Sequence, residues 1–74
     1  MSVDVLLVED RGRARVLTLN RPERRNALNQ VLNDALIEAL VDADHDPDVY
    51  AVVLTGSGTS FCSGADLQDA RDLA

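Results

Sequence analysis

The sequence predicts an α/β fold in the order ββαβ with one further short helix, on three observations. Two short runs rich in Val and Leu flank a glycine-bearing turn, and residues 30–44 repeat their apolar side chains at three- and four-residue spacing. A third apolar run, Tyr50-Ala51-Val52-Val53-Leu54, leads into a loop of Gly, Ser and Thr. A strand pair, a helix and a strand with no polar alternation make a hairpin followed by a crossover to a parallel neighbour.

The first strand is expected over residues 3–10 and the second over 14–19, with Gly12 supplying the turn. In the second strand Val16 and Thr18 share one face and Arg15, Leu17 and Leu19 the other, so one side of the sheet is better buried. Pro22 cannot donate to a ladder and ends the strand, and a loop follows. The helix, expected over 30–44, gathers Leu32, Leu36 and Leu40 with Ala35, Ala39 and Ala43 on one face. Asn29 serves as its N-cap and Asp46-Pro47 as its stop. The strand over residues 50–55 reads as covered on both faces, as in parallel sheets. The last helix starts at Asp66, and Leu73-Ala74 brings no capping Gly or Asn and no following element, so residues 1–74 read as the opening of a larger α/β domain.

Composition narrows the class of function. A hydrophobic fraction of 46% and a charged fraction of 27% are those of a globular chain, and 74 residues allow one domain with a thin core. No apolar run approaches the roughly 18 residues of a membrane span. An acid stands where a secretory signal needs a basic start, so a cytoplasmic location is expected. The single cysteine, Cys62, excludes an internal disulfide. A net charge of −6 argues against nucleic acid as a partner. The charge is uneven, with six Arg against four acids in residues 1–30 and one Arg against nine acids beyond them. A basic region therefore survives at Arg21, Arg24 and Arg25, either as solvated surface or as phosphate contacts.

Strand, small-residue loop and helix start over residues 51–67 converge several free backbone N–H groups on one point, a geometry that suits an anion or a developing oxyanion. Known signatures do not fit this loop. A P-loop requires Lys after its second glycine, where Ala65 follows Gly64. A dinucleotide fingerprint places Phe61 at its third glycine, and a nucleophile elbow closes on Cys62 in place of glycine. Cys62 reads as a small buried hydrophobe before it reads as a nucleophile, and His45 as a solvated helix end before a metal ligand. Asp66 is an N-cap first and a catalytic carboxylate second, while Asp69 and Asp72 need no active site to explain them.

Three blocks in order are specific. Leu19-Asn20-Arg21-Pro22-Glu23-Arg24-Arg25-Asn26-Ala27-Leu28, then Ala51-Val52-Val53-Leu54-Thr55-Gly56, then Phe61-Cys62-Ser63-Gly64-Ala65-Asp66-Leu67, closely resemble the N-terminal portion of the crotonase (enoyl-CoA hydratase/isomerase) superfamily. The resemblance covers essentially the whole chain and implies a truncated crotonase-like fold. It implies that Ala65 gives its backbone N–H to a thioester carbonyl oxygen, as one half of an oxyanion hole. The carbonyl of Ser63 would accept from the adenine amino group of coenzyme A. The loop holding Glu23, Arg24, Arg25 and Ala27 would line coenzyme A, with Gly64, Asp66 and Leu67 completing the substrate contacts. The ligand implied is an acyl-CoA thioester, in which coenzyme A belongs to the substrate, and no separate cofactor or metal is expected.

Family members are several times longer and take their second oxyanion donor and their acid/base carboxylates from later segments. The resemblance thus implies half a site, with either a truncated product or a separate chain carrying the rest of the fold as a partner, and a homo-oligomer in full-length relatives. Two other expectations stand beside an acyl-CoA enzyme segment: a non-catalytic coenzyme A or nucleotide-binding module, and an inactive remnant with an unpaired strand edge.

Overall fold

The computed structural model describes residues 4–64. Within them β1 (Leu6–Arg11), β2 (Ala14–Leu19), a 3-10 turn (Pro22–Arg24), α1 (Gln30–His45) and β3 (Ala51–Gly56) follow in that order. The ββαβ order is the one expected, and the helix placed at Asp66 lies outside the described residues.

β1 and β2 pair antiparallel from Leu6 opposite Leu19 to Arg11 opposite Ala14. The register leaves Gly12 and Arg13 as a two-residue hairpin loop, and Gly12 takes a φ of +61°. Two-residue loops need positive φ to match the twist of the strands they join, which glycine adopts at no steric cost. The strand therefore runs through Arg11 and starts later than the expected 3–10. β3 joins β2 in parallel, Ala14 opposite Ala51 through Leu19 opposite Gly56, so the sheet order is β1-β2-β3.

α1 starts where the sequence places it. Asn29 sits in extended backbone and its side chain accepts from the Leu32 N–H, satisfying one of the orphan donors of the first turn. The helix ends at His45, and the Asp46 N–H closes on the Ala43 carbonyl. Its buried stripe departs from the expected one: Leu32 and Ala43 are buried, Leu36, Ala35 and Ala39 half-buried, and Leu40 is 42% exposed. A four-residue spacing in a helix of 3.6 residues per turn drifts about 40° per step, so by Leu40 the row has rotated off the sheet and Ala43 takes its place.

The core consists of Leu17, Leu19, Ala27, Leu32 and Ala43. Leu17 and Leu19 lie on one face of β2, while Val16 and Thr18 on the other are half-buried, which is the one-sided burial expected. β3 differs from expectation: Val52, Val53 and Leu54 are 41%, 47% and 41% exposed. Its apolar run suits a strand covered on both faces, but among the described residues β3 is an edge strand and α1 packs chiefly over β1 and β2. Arg15, near the start of β2, ties hairpin and helix end together through Asp10 at 2.8 Å and Asp46 at 2.9 Å.

Candidate functional site

β2 and β3 are parallel and end together, Leu19 opposite Gly56, so the chain leaves both at the same edge of the sheet. That edge, outside the carboxyl ends of parallel strands, is where open α/β sheets hold ligands. Two loops meet there, residues 20–28 after β2 and residues 57–64 after β3. The Ser57 N–H donates to the Leu19 carbonyl at 2.9 Å, and the Ser57 hydroxyl donates to Asn20 Oδ1 at 3.0 Å.

Asn26 joins the loops. It is fully buried; its Oδ1 accepts from the Arg21 N–H at 2.8 Å, and its Nδ2 donates to the carbonyls of Ser57 and Ser60 at 2.9 and 2.8 Å. Its own N–H returns to the Arg21 carbonyl at 2.8 Å. Arg25 and Asn26 have φ of +51° and +56°, a left-handed pair that non-glycine residues adopt at a cost and Asn more readily than most. This turn directs the Arg25 carbonyl to the Ser63 N–H at 3.0 Å, and two residues later the Leu28 N–H reaches the Gly64 carbonyl at 2.8 Å. Gly56 permits the approach, because a Cβ there would fall 2.7 Å from both Asn26 Nδ2 and the Ser60 carbonyl. Gly64 has φ of +101° and open space around it, so backbone conformation rather than packing calls for glycine there.

The structure thus brings Ser63 beside Arg25 and Gly64 beside Leu28, residues far apart in sequence. Ala27 is buried, while Glu23, Arg24 and Arg25 are exposed on and after the 3-10 turn. Arg21 turns inward: its guanidinium donates to the Ala27 carbonyl, which makes it a brace of the loop. Ala65, Asp66 and Leu67 lie outside the described residues. Cys62 is half-buried, and its Sγ accepts from the Gly64 N–H at 3.4 Å. His45 sits at the far end of α1 against the Val41 carbonyl, and among the described residues no three metal-ligating side chains cluster.

A groove of about 280 Å³ between β1 and α1 is not part of this site: Val5, Leu6, Val8, Ala35 and Ala39 line it together with the carboxylates of Asp4, Glu38 and Asp42, which would repel a phosphate. The resolved charge perturbations also lie elsewhere. The Arg15 guanidinium holds the Asp10 carboxyl below its ordinary range by hydrogen bonding, and Asp10 and Asp46 in turn push Arg15 up. At the loop edge Arg24 and Arg25 face solvent together with the Glu23 carboxylate, beside the backbone of Ser63 and Gly64. Cationic side chains and backbone N–H groups of this kind can hold an anionic ligand and polarise a carbonyl.

The sequence reading assigned no role to Asn26, Asn20 or Gly56. A buried asparagine next to the apolar pair Ala27-Leu28 carries only a weak signal, since its partners 31 and 34 residues away cannot be read from spacing.

Residues 11–73 match the family described as enoyl-CoA hydratase/isomerase. A "Probable enoyl-CoA hydratase" of Rhizobium meliloti is 48% identical over 73 residues, which are 99% of this chain and 28% of the relative. A similar protein of Mycobacterium bovis is 40% identical over the same shares. Among solved structures, EchA1_1 of Mycobacterium paratuberculosis superposes with a TM-score of 0.91 at 48% identity, over 97% of this chain and 28% of that one. A carnitinyl-CoA dehydratase of Mycobacterium avium gives 0.84 at 52% identity, over 89% and 26%. The chain therefore spans about 28% of the length of the curated relatives it matches. Among the described residues no helix is long and apolar enough to cross a membrane.

Proposed function

The chain belongs to the enoyl-CoA hydratase/isomerase family, and from that premise we propose that it is the acyl-CoA-binding segment of a hydratase- or isomerase-type enzyme. One observation carries the reading: the loops that leave parallel β2 and β3 are joined so that the backbone of Ser63-Gly64 lies beside the turn bearing Arg24 and Arg25.

Ala65, directly after Gly64, gives its N–H to the thioester carbonyl oxygen, and the Ser63 carbonyl accepts from the adenine amino group. Arg24 and Arg25 meet the coenzyme A phosphates, while Glu23, Ala27, Gly64, Asp66 and Leu67 shape the remainder of the cleft. Enoyl-CoA addition and isomerisation both place negative charge on the thioester oxygen, and a prepositioned N–H stabilises that charge with no proton transfer of its own. Coenzyme A enters as part of the substrate. Proton transfer at the α and β carbons needs acid/base groups within hydrogen-bond reach. These come from polypeptide outside the 74 residues, so the isolated chain binds without turning over.

Titration calorimetry of the 74-residue chain with acetyl-CoA and with free coenzyme A tests this. Heat is expected at millimolar or lower ligand, weakened by Arg24→Ala together with Arg25→Ala, and Ala65→Pro removes any preference for the thioester over free coenzyme A. A chain with a cooperative melt that gives no heat at millimolar acyl-CoA overturns the reading, and hydration of a 2-enoyl-CoA by the chain alone overturns its division of labour.

A further inference from the structure

We infer that Asn26 is a positioning residue, whose side chain fixes residues 57–64 against residues 20–28 and so sets where the ligand-facing backbone at Ser63 and Gly64 is aimed. The inference rests on the acyl-CoA reading of that backbone for its functional consequence, and on three structural observations for its substance.

First, both ends of the amide are used across the loop junction, with Oδ1 receiving the Arg21 N–H and Nδ2 shared between the Ser57 and Ser60 carbonyls. Every one of these partners is a loop residue. The strand ladders and the helix have their own hydrogen bonds, so the loss of Asn26 falls on the junction and not on the sheet. An apolar replacement would leave three part-buried backbone groups without this partner, and a carboxylate would set an oxygen against two carbonyl oxygens. Second, the left-handed pair Arg25-Asn26 presents the Arg25 carbonyl to the Ser63 N–H. That conformation is unfavourable for L residues and is held because the same asparagine is anchored on both sides. Third, Gly56 leaves room for the amide, since any Cβ at 56 would sit 2.7 Å from Asn26 Nδ2. Side chain, backbone and facing glycine thus serve one contact between the loops.

Two variants of the 74-residue chain separate this role from general stability. Asn26→Gly keeps the left-handed backbone and deletes the amide, while Asn26→Asp keeps shape and acceptor and removes the donor. Amide hydrogen exchange should quicken about tenfold or more at Ser63 and Leu28, whose N–H groups span the junction, and by less than about twofold at Leu36 and Ala39 in α1. Acetyl-CoA affinity measured by calorimetry should fall by about tenfold in both variants. Unchanged exchange at Ser63 and Leu28 overturns the inference, as does equal acceleration at Leu36 and Ala39. Loss of the helical circular dichroism signal in both variants also overturns it, because releasing a loop leaves sheet and helix standing. Should the wild-type chain give no heat with acetyl-CoA, the acyl-CoA reading falls, and the exchange ratios alone support or overturn the positioning role.

Discussion

Asn26 Nδ2 lies 2.7 Å from the point that a Cβ on Gly56 would occupy, so a loop side chain fills the space that the last residue of β3 leaves empty. The same point is crowded by the Phe61 and Ser60 carbonyls, which are backbone and cannot swing aside. Gly56→Ala is therefore expected to cost about 1–3 kcal/mol through overpacking, read from the urea midpoint. In an Asn26→Gly background the cost should be smaller, and equal costs in the two backgrounds would show that the pair is uncoupled.

Leu32 is fully buried in a core of five side chains. Leu32→Ala should lose about 2–5 kcal/mol. A chain of this size commands roughly 4–11 kcal/mol in all, so the variant is expected to melt without a cooperative transition near room temperature. A sharp melt within a few degrees of the wild type would contradict the burial.

The cap on α1 predicts a smaller effect. Asn29 Oδ1 accepts the Leu32 N–H at 2.9 Å, and Asn29→Ala should cost about 1 kcal/mol, whereas Asn29→Ser or Asn29→Asp should cost little. Thermal melts of the three variants, read at the helix band, check the ranking.

At the hairpin the glycine requirement is conformational alone. A Cβ on Gly12 would meet nothing within 4 Å, yet φ is +61°. Gly12→Ala should lose about 1–2 kcal/mol from the left-handed backbone and Gly12→Asn distinctly less. Equal losses would place the cause elsewhere.

The Arg15–Asp10 pair sets a pH dependence of known sign. Hydrogen bonding to Arg15 lowers the Asp10 carboxyl in the folded chain relative to its ordinary 3.8. The contribution is thus present above the ordinary value and is lost as the pH falls through the lowered one. The stability difference between wild type and Asp10→Asn should shrink below about pH 4 and also shrink in high salt, since Asp10 is exposed. A difference that grows on acidification would reverse the assignment.

Much of this was legible in the chain itself, for local reasons. Gly12, Pro22, Asn29 and Asp46-Pro47 act on their own neighbours, so hairpin, strand end, cap and stop can be placed from short windows. The 3-10 turn at Pro22–Arg24 escaped because three residues carry too little periodicity to be seen. The exposure of β3 escaped for a different reason, since an apolar run records that a strand suits a covered position but not which elements supply the cover. Ser63, Gly64, Arg25 and Ala27 stand out only through family resemblance; among the described residues the Ser63 N–H meets the Arg25 carbonyl and the Gly64 carbonyl meets the Leu28 N–H. Asn26 belongs to the same block as Arg25 and Ala27, but its role depends on carbonyls at 57 and 60 that meet it only after the crossover has closed.

Ala51–Gly56 carries no charged residue, shows its valines and leucine to water, and among the described residues pairs along one edge only. Among the described residues the other, free edge is a row of amide donors and acceptors with no gatekeeping Lys, Pro or bulge, the kind of template on which identical strands stack into fibrillar assemblies. Protein concentration is therefore an experimental variable for this chain, and a charge placed at Val53 is the natural way to keep it dispersed.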